Sequence, residues 1–147
     1  MADHFRLCNC IVPLPTEEAV QYALHLDEQA CNITDESEIP AGFPESLKDV
    51  WGTWSFNMER MDRPEGPARR FQSVEGVEAA CAFIQHLLQR FNPKGHVALA
   101  WSAMCTNPWR EGAFGGGAAV ITAEKVEEIW TDDWLVERVA KLETTEE

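Results

Sequence analysis

The sequence predicts a single α+β domain, residues 1–147, in which about three helices pack on one mixed or mostly antiparallel sheet. Three observations lead to this fold class. Residues 77–91 carry apolar side chains at helical spacing, and residues 97–105 form a dense apolar run of strand length. Residues 118–130 contain two short apolar stretches with a polar turn between them. The expected order is β-α-β-β-α-β-β-β-α, and the chain is long enough to bury a core.

The chain opens with a predicted strand and a predicted helix. Residues 5–12 alternate loosely between apolar and polar types, and Pro13 ends that pattern. Thr16 is a favoured N-cap residue. The two glutamates that follow it suit the positive end of a helix dipole. A helix over about 17–30 is therefore expected.

An acidic connection and a hairpin follow. Residues 32–49 contain two prolines, a glycine and five acids, so they predict an acidic surface connection that faces partners, with one helical turn near 45–50. Apolar side chains at alternate positions over 54–58 predict a half-buried strand. A turn at 63–67 and a return strand over 68–72 complete the hairpin.

The second half predicts the centre of the fold. Ser73 is an expected cap for the helix that carries the strongest apolar stripe. Residues 97–105 predict a central strand buried on both faces, and residues 118–122 pair with 126–130 through a three-residue turn. A last helix begins at Thr131, with four residues expected to face inward: Trp134, Leu135, Val139 and Leu142. The tail, residues 143–147, is expected to fray.

The net charge of −13 excludes some classes of partner and favours another. The charge is −8 over residues 1–49, +2 over 50–110 and −7 over 111–147. Such a surface repels phosphate groups, which argues against direct binding to nucleic acid or to an anionic membrane. A basic protein partner is favoured. The alternative is that the acidity only keeps a small protein soluble.

The N-terminus and the cysteines indicate a reducing compartment. The first eight residues lack a basic region followed by an apolar one, so no secretory signal is predicted, and the expected location is cytoplasmic (the host cytoplasm if the gene is viral). Five cysteines are then expected as reduced thiols. Cys8 and Cys10 fall on one strand face, but the chain shows no spacing typical of a metal site. No metal or cofactor is predicted.

The run Gly115, Gly116 and Gly117 raises the question of a phosphate cradle. A phosphate loop should open a helix, whereas these glycines lead into a strand. The preferred interpretation is a close backbone approach or a bulge beside a bulky tryptophan. His96 and Cys105 are nine residues apart on one predicted strand. An odd separation points them to opposite faces and argues against a nucleophile–base pair.

Aromatic and acidic residues supply the predicted partner-binding set. Trp and Arg dominate protein interfaces, and Trp109 and Arg110 lie in a predicted loop beside the glycine run. The alternative for Trp109 is a loop side chain folded over the edge of the core. The full predicted set is Trp109, Arg110, Phe114, Trp51, Asp35, Glu36 and Glu38.

The C-terminal half also resembles a group of small proteins from bacteriophage and bacterial genomes. The resemblance rests on residues 85–93, 97–105 and 114–122, followed by an acidic strand and the pair Trp134 and Leu135. It implies a phage or mobile-element origin, and it carries no activity and no catalytic residues.

These observations favour a non-enzymatic protein that binds a basic surface of another protein, as an inhibitor, an anti-defence protein or an immunity protein does. The first alternative is a small ligand-binding domain or enzyme with a pocket near Gly115–Gly117, using His96, Cys105 and Arg110. The second is a structural or assembly subunit, for which a homo-oligomer would be expected.

Overall fold

The computed structural model describes residues 4–51, 54, 57–64, 66–72, 77–105 and 114–145. The strands are β1 (His4–Pro13), β2 (Asn57–Arg63), β3 (Gly66–Gln72), β4 (His96–Cys105), β5 (Phe114–Thr122) and β6 (Val126–Trp130). The α-helices are α1 (Glu17–Asn32), α2 (Glu45–Lys48), α3 (Val77–Phe91) and α4 (Thr131–Thr145), and a 3-10 turn covers Glu36–Glu38.

All six strands belong to one antiparallel sheet in the order β2-β3-β1-β4-β5-β6. The first four strands and the helices α1 and α3 form a βαββαβ unit, in which each helical crossover skips one strand. This is the topology of the ferredoxin-like plait. The strands β5 and β6 extend the sheet beyond β4 as a hairpin. The predicted α+β class is confirmed, and the order of the strands and of the three long helices agrees with the prediction.

The core lies on one face of the sheet, under α1 and α3. The side chains of α3 that enter it are Val77, Ala79, Ala80, Cys81, Phe83, Ile84, Leu87 and Leu88. From α1 come Ala19, Val20, Ala23, Leu26 and Ala30. Thr16 caps α1 as predicted, because its Oγ1 accepts a hydrogen bond of 3.1 Å from the backbone N–H of Ala19.

Within the described residues, the other face of the sheet is exposed to solvent. Along β4, Val97, Leu99 and Trp101 are buried, whereas the intervening Ala98 and Ala100 are exposed. The prediction that this strand is buried on both faces is therefore wrong. Antiparallel sheets often leave one face to water, and an apolar run can satisfy that arrangement when its outward residues are alanines.

Of the strand predicted over residues 54–58, Asn57 and Met58 belong to β2, residues 55–56 lie outside the described residues, and Trp54 is not in a strand. Trp54 instead belongs to the helical layer. Its Nε1–H donates a hydrogen bond of 2.9 Å to Oδ1 of Asp27 in α1, and its ring meets Phe83 edge-on with centroids 5.0 Å apart. These two contacts hold the tryptophan against the helices and out of the sheet.

The connection over residues 32–49 has a polar side and a buried side. Asp35 and Glu38 are exposed, whereas Phe43 and Leu47 enter the core. The expected helical turn is confirmed as α2. The acidic connection is thus fixed to the domain by its two apolar residues.

The last helix departs from its prediction. Every residue of α4 from 131 to 144 is exposed, including the four apolar residues that were expected to face inward. The helix starts directly after β6 and meets β5 and β6 near its beginning. It extends to Thr145, into the segment expected to fray, and residues 146–147 lie outside the described residues.

Tyr22 of α1 and His86 of α3 join the two core helices. The tyrosine hydroxyl lies 2.6 Å from Nε2 of His86, and the Arg90 guanidinium sits 4.4 Å above the tyrosine ring. Burial, and secondarily the positive charge of Arg90, lower the pKa of His86 from its ordinary value of 6.5. A neutral imidazole can accept a hydrogen bond from the tyrosine hydroxyl at Nε2, whereas both nitrogens of a protonated ring are donors.

This contact predicts a pH-dependent stability. As pH falls below about 6.5, the unfolded chain binds a proton at His86 before the folded chain does, so the contribution of His86 is present above that pH and is lost below it. We expect His86→Gln to reduce the loss of stability between about pH 7.5 and about pH 5. Urea unfolding at both pH values measures the free energy of unfolding of each protein. An equal loss of this free energy in the two proteins would contradict this role of His86.

Candidate partner-binding surface

A row of three residues crosses the sheet at the end of the glycine run. Trp101 on β4, Gly117 on β5 and Trp130 on β6 are cross-strand partners on the core face. Strands on either side of a central strand are about 9.6 Å apart, yet the two indole rings meet edge to face with centroids 4.8 Å apart. The rings lean toward each other over Gly117, where any side chain would occupy the same space.

The neighbouring glycine is required for a different reason. Gly116 has a φ of 151°, in a region that L-residues rarely adopt, and a Cβ there would overlap the carbonyl oxygen of Trp101. The predicted close backbone approach beside a tryptophan is confirmed, and the tryptophan is Trp101. Its buried Nε1–H has no hydrogen-bond partner among the described residues.

A cleft of about 420 Å³ opens where this glycine run meets the start of α4. Gly115 lies beside Asp132 of the first helical turn, since a Cβ added there would be 3.8 Å from its Oδ1. The cleft is lined by Trp101, Gly115, Gly116, Gly117, Ala118, Ile129, Thr131 and Trp134. The absence of side chains on the glycines leaves the room that the cleft occupies.

An apolar surface continues from the cleft along the open face of the sheet. A second hollow of about 250 Å³ lies against Val120 and Ile129, and it shares Ala118 and Ile129 with the cleft. Val120 is 43% exposed and Ile129 is 49% exposed. We call Ala118, Val120, Ile129 and Trp134 the β5–β6 surface.

Acidic side chains surround this surface. Glu127 pairs with Val120 and lines the second hollow on the open face, and Asp132 and Asp133 occupy the first turn of α4. Lys125, at the turn between the two strands, is paired with Glu127 at 2.6 Å, and this contact raises the pKa of the lysine. The charge around the apolar patch is therefore predominantly negative.

The structure places the predicted site residues in several different environments. Trp109 and Arg110 lie outside the described residues, and Phe114 begins β5 opposite Met104. Trp51 is half-buried and packs against the core. The described contacts do not join any of these residues to the β5–β6 surface, and their role in binding stays a prediction.

The three predicted acids lie in the connection between α1 and α2, in and next to the 3-10 turn Glu36–Glu38. The carboxylate of Glu38 accepts hydrogen bonds from the backbone N–H and the hydroxyl of Thr34, the latter at 2.8 Å. Asp35 accepts one from the backbone N–H of Ser37. These bonds hold two exposed acids in a fixed turn.

Of the polar residues named for an enzyme, His96 and Cys105 do not converge, and Arg110 lies outside the described residues. His96 and Cys105 begin and end β4, which places their Cα atoms about 30 Å apart at 3.3 Å per residue. In the described part of the chain, no three His, Cys, Asp or Glu side chains are placed to hold a metal ion. None of the described helices is both long and apolar enough to cross a membrane.

No protein-family model matches the chain, and no curated protein sequence matches it. Among solved structures, the chain is similar to LarC2, the C-terminal domain of a cyclometallase involved in the synthesis of the NPN cofactor of lactate racemase, in its apo form. The TM-score is 0.33 at 8% identity, over 88% of this chain and 80% of that chain. This similarity carries no conclusion about function, and the phage origin stays a prediction.

Three glycine substitutions test the packing that forms the cleft. Gly116→Ala combines an unfavourable φ with a backbone overlap, so we expect it to lower the free energy of unfolding by at least ~2 kcal/mol. Gly66 has a φ of 134°, which is unfavourable for alanine, but a Cβ there would meet open space, so we expect Gly66→Ala to lower the free energy of unfolding by about 1 kcal/mol. Gly42→Ala meets nothing within 4 Å and should change stability by less than ~0.5 kcal/mol. Urea unfolding measures all three, and equal effects at Gly116 and Gly42 would show that the close approach is not needed.

Proposed function

We propose that this chain is a binding protein that recognises a basic, amphipathic segment of another protein on the β5–β6 surface. The observation that carries the proposal is the combination of exposed Val120 and Ile129 with a cleft beside them and acids around them. Apolar patches rimmed by polar residues on a soluble domain mark interaction sites.

The chemistry of the surface favours a particular kind of segment. The cleft would take a bulky apolar side chain of the partner, held between Trp134 and Ile129. Lysines or arginines on either side of that side chain would face Glu127 and Asp132. The apolar contacts would supply most of the affinity, and the charges would supply orientation and association rate.

The acidic remainder of the chain supports the same class of partner. Asp35 and Glu38 lie far along the sequence from the β5–β6 surface, yet they add to a net charge of −13 that would attract a basic protein at long range. A protein of this kind would cover a basic face that its partner uses for nucleic acid. An inhibitor, an anti-defence protein or an immunity protein acts in this way.

A random peptide library displayed on phage tests the recognised chemistry directly. We expect the immobilised protein to enrich peptides in which Lys or Arg alternates with bulky apolar residues, and binding of a selected peptide to weaken as salt rises. Enrichment of acidic peptides, or no enrichment, would refute the proposal. A small molecule that competes for the cleft would instead favour the ligand-binding alternative.

A matched pair of substitutions locates the binding surface. Ile129→Lys places a positive charge in the centre of the β5–β6 surface, and we expect it to weaken a selected peptide at least about tenfold, or ~1.4 kcal/mol. Val136→Lys makes the same kind of change at another exposed apolar position, on α4 away from the cleft, and should alter the affinity less than about twofold. Isothermal titration calorimetry measures both. Equal losses would show that general charge, not this surface, governs binding.

A further inference from the structure

We infer that two copies of this chain associate through α4, with the two helices side by side and parallel. The inference concerns a face of α4 outside the β5–β6 surface and does not depend on the proposed function. Its starting point is that Leu135, Val139 and Leu142 are 48%, 50% and 65% exposed.

A helix in this situation needs a surface to pack on. Isolated helices of about 12–15 residues are only marginally stable in water, because their stability comes mainly from burying an apolar face. The helix α4 is 15 residues long, and every residue from 131 to 144 is exposed. Packing of its apolar residues against a second helix would provide the missing burial.

The spacing of these residues identifies that second helix. Steps of four and three residues separate Leu135, Val139 and Leu142, which is the d-a-d pattern of a coiled coil. A β-branched residue at position a with leucine at position d favours two parallel strands.

The charged residues beside this stripe agree with the parallel pairing. With Val139 at position a, Arg138 takes position g and Glu143 takes position e of the following heptad. In parallel two-stranded coiled coils, a g residue faces the e residue five positions later on the partner helix. Two Arg138–Glu143 pairs of opposite charge would therefore form across the interface, one on each side.

The sheet edge at β6 offers a poorer interface between copies. The edge strand β6 is five residues long and carries Glu127 and Glu128. Antiparallel pairing of two such edges about their centres would bring these glutamates close to their copies, and like charges across strands are destabilising. The second copy is therefore expected on α4.

Val139, at the centre of the stripe, is on a different side of the helix from the cleft. Trp134 lines the cleft, and successive residues of a helix are rotated by about 100°. Val139 therefore lies about 140° from Trp134 around the helix axis, whereas Leu142 shares a hollow with Trp134. The two interfaces can be tested separately.

Sedimentation velocity of the full chain over about 1–200 µM tests the association, since a short interface of this kind gives weak, concentration-dependent dimers. We expect the mass to rise with concentration from 16.6 kDa toward twice that value. Val139→Glu should weaken the association at least about tenfold, whereas Ala140→Glu, the same charge change one residue away from the stripe, should alter it less than about threefold. A protein that stays monomeric throughout, or equal effects of the two variants, would overturn the inference.

Charge exchange tests the parallel register. Arg138→Glu and Glu143→Arg should each weaken the association, because each sets like charges against each other, and the double variant should restore it. Failure of the double variant to recover would overturn the parallel arrangement. Circular dichroism of each variant establishes that the fold is retained. Peptide binding at Ile129 is measured independently, so loss of one property leaves the other testable.

Discussion

The contact between Trp101 and Trp130 over Gly117 determines the arrangement of the C-terminal half. Two large side chains on strands β4 and β6 can meet only where the strand between them carries no side chain. The glycine run that permits this contact also leaves the space of the cleft. Because Trp130 is the last residue of β6, fixing its ring also fixes the point where α4 begins.

The one-sided core has consequences for every outer surface. Both long core helices pack on the same face of the sheet, so the opposite face is exposed to water. Apolar side chains on that face must therefore be small or few. Alanines serve this purpose on β4, at Ala98 and Ala100. On β5 and β6 the outward residues are larger, at Val120 and Ile129, and these carry the proposed partner binding.

Much of the fold could be predicted from the sequence, because periodicity and capping are local properties. Thr16 caps α1, the β5–β6 hairpin has its expected turn, and the glycines stand beside a tryptophan as expected. Two errors have a common cause. Apolar residues on β4 and α4 were expected to be inside, yet whether a face is covered depends on how many other elements pack there.

The candidate site was harder to predict for the same reason. A sequence shows that Val120 and Ile129 are apolar, but only the pairing of β5 with β6 shows that they share the uncovered face. The sequence shows the acidic net charge, but it does not show that some of these acids lie around the apolar patch.

The place of β1 in the sheet has a consequence for how the protein is made. It is the first strand of the chain and lies between β3 and β4, so both of its neighbours come much later. Cys10 pairs with Phe71, 61 residues on, and Cys8 pairs with Trp101, 93 residues on. Pairings this distant slow folding, because the conformational entropy of a long loop is lost before the stabilising contacts form. While it is being synthesised, the chain carries its central strand unpaired until most of the protein has left the ribosome.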